Sequence, residues 1–118
     1  MADSIVAQKS FQFAIRVVRL YMYLKDHKQE FILAKQLVRS GTSIGANTEE
    51  AVAAQSKSDF IHKLHIALKE ARETSYWLRL LHAVELIETA AFESINRDCV
   101  ELQKMLSSII LTSKRNNS

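Results

Sequence analysis

The stretch from Thr89 to Lys114, TAAFESINRDCVELQKMLSSIILTSK, sets Phe92, Ile95, Cys99, Leu102, Leu106 and Ile109 at alternating spacings of three and four. At about 100° per residue these side chains share one narrow seam, the pattern of a helix with a single partner face. Thr89 or a neighbour can cap its first N–H groups. The same period recurs upstream in three further segments, separated by polar breaks at Lys25–Glu30, at Gln55–Asp59 and, more weakly, near Glu85–Thr89. Helices are therefore expected over about residues 5–25, 31–55, 58–84 and 89–114, the third capped by Ser58 or Asp59. Breaks this short make successive helices antiparallel neighbours. The expected fold is all-α, an antiparallel up-down-up-down four-helix bundle spanning residues 1–118 as one domain.

Composition agrees. The 118 residues include no proline and two glycines, too little punctuation for hairpins or a strand-rich fold. With 47% apolar residues a core can form without cross-links, burying roughly 65% of the unfolded surface. Cys99 is the single cysteine, so no internal disulfide is available. No uncharged apolar run approaches the length of a membrane span, and the first residues, Met1-Ala2-Asp3-Ser4, lack the features of a secretory signal. A cytoplasmic location follows as the expectation.

Two helices look apolar on more than one side. In the first, only Lys9, Gln12, Arg16, Arg19 and Tyr23 form a polar sector, leaving an apolar arc of roughly 220° from Phe13, Leu20 and Leu24 round to Ala14, Phe11, Met22 and Ile15. The third carries a core stripe through Phe60, Leu64, Leu68, Ala71, Ser75 and Leu78, and nearly opposite it Ile66, Glu70, Glu73, Trp77, Leu80 and Val84. Soluble monomers avoid large contiguous apolar patches. A homo-oligomer is the expectation, with Phe13, Leu20, Leu24, Ile66, Trp77, Leu80 and Val84 at its interface; the alternative is a first helix covered by its own chain.

Catalytic chemistry finds little to use. A di-iron bundle needs Glu-x-x-His on two helices, and the nearest elements are His62-x-x-His65 and Glu70-x-x-Glu73 on one helix. Cys99 sits in the core seam, Gly41 and Gly45 do not make a phosphate loop, and no arginine is followed by histidine after four to six residues. No metal, cofactor or small-molecule substrate is expected, and the protein is read as no enzyme. A helix-turn-helix over Leu33–Ala54 would present Glu49 and Glu50 to phosphates, which disfavours it. Charge is more suggestive: residues 1–48 hold seven cations and three anions, the rest nine and ten. Lys9, Arg16, Arg19, Lys35 and Arg39 form the expected surface for RNA, DNA or a nucleoprotein. A protein–protein adaptor without nucleic acid is the alternative.

The stretch Leu33-Ala34-Lys35-Gln36-Leu37-Val38-Arg39-Ser40-Gly41-Thr42-Ser43-Ile44-Gly45-Ala46-Asn47 resembles the central signature of the bacterial four helix bundle proteins encoded by intervening sequences within 23S rRNA genes. Asp59-Phe60-Ile61-His62-Lys63-Leu64 and Ala67 to Leu78 are similar to that family's next stretch. The resemblance implies a ring-like homopentamer and kinship with the accessory protein of diversity-generating retroelements, which binds nucleic acid and a reverse transcriptase. It carries no catalytic activity. The family's signature polar residues map to Ser43, Asn47, Glu50, Glu70 and Glu73, which could form a buried hydrogen-bond network between helices two and three, fixing their register.

Overall fold

The computed structural model describes residues 2–116, with side chains from Ile5 onward. Four helices follow one another: α1 (Ala2–His27), α2 (Ile32–Val52), α3 (Lys57–Ala83) and α4 (Thr89–Arg115). No strand occurs among the described residues. Each helix packs on its sequence neighbours and α1 closes on α4, whereas α1 does not approach α3, nor α2 α4. The four therefore stand at the corners of a square, within a body of 51 × 21 × 19 Å. Cross-helix bonds show the antiparallel sense: Arg39 meets Glu70 while Glu50, further along α2, meets Lys63, earlier on α3.

The helix ends are secured by local chemistry that differs from the sequence expectation. At α3 the cap is Ser56, whose hydroxyl accepts from the Asp59 N–H at 3.0 Å, rather than Ser58 or Asp59. At α2 the Glu30 carboxylate takes the N–H groups of Leu33 (2.7 Å) and Ala34 (3.1 Å), so a residue before the helix satisfies donors that no cap side chain reaches. Glu88 stands at the N-cap of α4 without a side-chain bond; the Thr89 hydroxyl lies instead 3.0 Å from His82 Nε2.

The end of α3 is a Schellman turn: Leu86 N–H donates to Leu81 O at 2.9 Å and Glu85 N–H to His82 O at 3.0 Å. It puts Glu85 at φ 64°, a region glycine enters freely and other residues enter at a cost of about 1–2 kcal/mol. Glu85→Gly should therefore raise stability by about 0.5–1 kcal/mol once the greater unfolded-state entropy of glycine is subtracted. Thermal unfolding checks it, as a midpoint higher by a few degrees.

Core side chains come from all four helices. Val6, Phe13, Val17 and Leu24 of α1 meet Leu37 and Ile44 of α2, Leu64, Leu78 and Leu81 of α3, and Cys99, Leu102 and Leu106 of α4, each at most 2% exposed. The α4 seam is as the spacing demands, except that Phe92 and Ile109 flank the core while Ile110 enters it. Gly41 and Gly45 lie inside α2, which runs unbroken through both. A Cβ on Gly41 would stand 2.6 Å from Val17 Cγ1, and one on Gly45 would stand 3.4 Å from the Ser10 carbonyl oxygen. The glycines are there for the approach of α1, not for a bend.

Candidate functional site

The cations expected to face nucleic acid are, for the most part, already engaged. Arg16 of α1 reaches α4, where it donates to Asp98 Oδ2 at 2.6 Å and to Ser94 Oγ at 3.0 Å. One helical turn or two away, Lys9 Nζ meets Glu101 Oε1 at 3.3 Å. Arg39 of α2 pairs with Glu70 at 3.4 Å and with Glu73, both on α3. Arg19 and Lys35 are exposed and have no carboxylate partner among the described residues. The amino-terminal excess of charge is thus largely balanced in space by carboxylates from the second half of the chain. Such half-exposed pairs each contribute little to stability, but they engage three of the five expected cations.

The polar residues expected between α2 and α3 do meet there, in a different form. Arg39 is the hub: its guanidinium joins Glu70 and Glu73, and Glu73 also accepts from Trp77 Nε1 at 3.0 Å. Lower on the seam, Lys63 bonds Glu50 at 2.8 Å, and that hydrogen bond raises the Lys63 pKa. Ser43 and Asn47 do not cross to α3. Their side chains donate to carbonyls of their own helix, Arg39 O at 2.6 Å and Ser43 O at 2.8 Å. The ladder is half-exposed and ionic rather than a buried network.

The buried polar link between these helices is one that the spacing did not single out. Thr74 Oγ1 donates to Ser40 Oγ at 2.9 Å, both residues having no exposure. Ser40 and Thr74 stand beside other polar residues, Arg39, Thr42 and Ser43 in one case and Arg72, Glu73 and Ser75 in the other, so nothing local marks them as the buried pair. Across the α3–α4 seam, Ser75 donates to Asn96 at 3.0 Å and the Cys99 thiol donates to Ala71 O at 3.2 Å. Burial pushes the Cys99 thiol up to about 11 from 9.0, so near neutral pH it is a protonated core group.

The expected oligomer surface is redrawn. Phe13 and Leu24 lie inside the chain's own core, at 2% and 0% exposure, with nothing left to offer a second copy. Leu20 and Trp77 are half-buried against that core, and Ile66 and Leu80 are half-buried too. Val84 alone of the seven is open, at 51%. The error has a plain cause: an arc of roughly 220° is too wide to be all interface, and α2 and α4 flank α1 on the Phe13 side. What stays uncovered is the outer row Phe11, Ile15, Val18 and Met22.

No group of three His, Cys, Asp or Glu side chains suited to a metal occurs among the described residues, and no helix there is long and apolar enough to cross a membrane. A polar hollow of about 340 Å³ at the loop end of the bundle is lined by Tyr23, Lys28, His82, Glu85 and Thr89, among others. His82 is stacked on Phe92 there, with ring centroids 4.4 Å apart.

Fold and surface together define a small all-helical bundle in which ion pairs join α1 to α4 and α2 to α3. The chain belongs to the 23S rRNA-intervening sequence protein family, whose model matches residues 2–108. It is similar to a protein of unknown function from the S23 ribosomal protein family of Bacteroides thetaiotaomicron VPI-5482, known from a crystal structure at 1.70 Å. The two share 55% sequence identity and superpose with a TM-score of 0.92, over 93% of this chain and 98% of that one. No curated protein matches the chain.

Proposed function

We propose that the protein is a non-enzymatic building block that self-associates through α1. The carrying observation is the outer row of that helix: Phe11 is 63% exposed and Met22 50%, with Ile15 and Val18 between them. Spacings of four, three and four make a seam of the kind by which helices pair, and no charged side chain interrupts it. Water is a poor neighbour for such a row. A second copy suits it because the row is continuous, apolar and self-complementary about a twofold axis. A closed ring, which the family resemblance implies as a pentamer, needs a second, different patch on each subunit; exposed Val84, one turn beyond half-buried Leu80 at the end of α3, is available.

The non-enzymatic part is supported by the lack, among the described residues, of a group of three His, Cys, Asp or Glu side chains suited to a metal, and by a thiol held protonated. The nucleic-acid reading through Lys9, Arg16, Arg19, Lys35 and Arg39 retains Arg19 and Lys35 as cations without a carboxylate partner, and the adaptor reading needs only the α1 row.

Light scattering at micromolar concentration tests the proposal. Wild-type protein should run as a multiple of 13.5 kDa, five times that mass for the ring. Phe11→Glu with Val18→Glu should give a helical particle of single-chain mass, because both side chains are on the outside and the core is untouched. A wild-type mass of 13.5 kDa throughout the micromolar range removes the proposal.

A further inference from the structure

We infer that the outer face of α3, with the adjoining side of α4, binds the phosphodiester backbone of a nucleic acid. Lys69, Arg72, Tyr76 and Arg79 follow one another at spacings of three, four and three, and all four are exposed. The row spans about 15 Å at 1.5 Å per residue. That is enough to meet phosphates across a duplex groove about 12 Å wide. The Ser75–Asn96 bond sets α4 alongside, where Arg97 and Lys104 line a shallow groove with Phe92, Asn96 and Val100.

Three observations separate this face from an ordinary solvated one. First, among the described residues no carboxylate lies within 4.0 Å of Lys69, Arg72, Arg79, Arg97 or Lys104, whereas the cations of the α1–α4 and α2–α3 seams are paired across helices. Of the two carboxylates in the α4 groove, Glu101 is held by Lys9, leaving Glu93 against five cations. Second, like charges three apart on a helix repel mildly, so Lys69 and Arg72 keep a small cost that an anionic partner would reverse. Third, the aromatic ring is in the row: Arg79 stands over Tyr76, 5.9 Å from the ring centre. Guanidinium forks suit phosphate oxygens, and an exposed ring beside them gives an unpaired base a surface to stack on.

Guanidinium forks suit carboxylates as well as phosphates, so it is the exposed Tyr76 ring within the row that favours a nucleic acid over an acidic polypeptide. The face lies away from the α1 row, since α3 and α1 occupy opposite corners of the bundle. Pairing through the α1 row alone leaves it open, whereas a ring that also used Leu80 would border it.

The test is fluorescence anisotropy with the full-length protein and three probes of arbitrary sequence: a single-stranded RNA, an RNA duplex and a DNA duplex of the same length. At least one should bind, with an affinity falling as about the third to fourth power of salt concentration for four or five neutralised phosphates. Substituting K69Q, R72Q and R79Q together should weaken binding about 100-fold or more at 0.1 M salt. Y76A should weaken the single-stranded arm about 10-fold and the duplex arms less. The control pair R19Q with K35Q should stay within about twofold; circular dichroism verifies that every variant is folded. No binding of any probe at 50 mM salt overturns the inference. So does an equal loss in the control pair, or polyglutamate binding as tightly as RNA and lost in the same triple variant.

Discussion

Replacing Phe13 by alanine is expected to lower the unfolding free energy by about 3–5 kcal/mol, a large share of the roughly 5–15 kcal/mol typical of a domain. Phe13 is 2% exposed and among the largest fully buried side chains, so its removal leaves a cavity in the core. Phe11, two residues away and 63% exposed, should behave oppositely. Phe11→Ala should leave the unfolding free energy of the single chain within about 0.5 kcal/mol, as surface substitutions usually do, and act on assembly instead. Urea unfolding at fixed protomer concentration, run with light scattering, separates the two. The concentration must be held because association adds to apparent stability by mass action. Equal losses for Phe11 and Phe13 would mean that α1 is turned otherwise than described.

Gly41→Ala is expected to destabilise despite the better helix propensity of alanine. The new Cβ would lie 2.6 Å from Val17 Cγ1 and 3.1 Å from its Cβ, and a β-branched side chain cannot swing clear. Overpacking of this kind costs about 1–3 kcal/mol, against a propensity gain of about 1 kcal/mol. In a Val17→Ala background the obstruction is gone, and the same change should become neutral or stabilising. The sign reversal is a coupling of about 1–3 kcal/mol, measurable by a double-mutant cycle. Gly45→Ala is the internal contrast: its Cβ would sit 3.4 Å from the Ser10 carbonyl oxygen, an ordinary contact. It should gain much of the propensity term. If Gly41→Ala in either background and Gly45→Ala all respond alike, α1 and α2 do not meet through these glycines.

Helix number, order and extent were legible before any coordinates, because a 3.6-residue period is a property of neighbours in the chain. The expected 58–84 and 89–114 are observed as Lys57–Ala83 and Thr89–Arg115. The caps were less legible. Glu30 reaches forward to the α2 N–H groups and Ser56 takes the α3 cap, although Ser58 and Asp59 have equally suitable side chains. Choosing among adjacent cap residues depends on where packing stops the helix.

The surface was the hardest part. Arg16 and Asp98 are 82 residues apart, and Arg39 is 31 and 34 residues from Glu70 and Glu73. Counting charges along the chain places the cationic excess on the amino-terminal half, and folding pairs Lys9, Arg16 and Arg39 of that half with carboxylates of α3 and α4. The row Lys69, Arg72, Tyr76, Arg79 was visible as a spacing, but its lack of carboxylate partners was not.

What the amino-acid order determined alone was four amphipathic helices, their antiparallel succession and the seam of α4, all consequences of local periodicity and short polar breaks. Tertiary structure decided which apolar side of α1 is covered, which cations are neutralised, and that Ser40 and Thr74 share a buried bond. Those outcomes depend on the rotation and register of one helix against another. That register is set by contacts such as Val17 on Gly41, between residues too distant in sequence for any local period to relate.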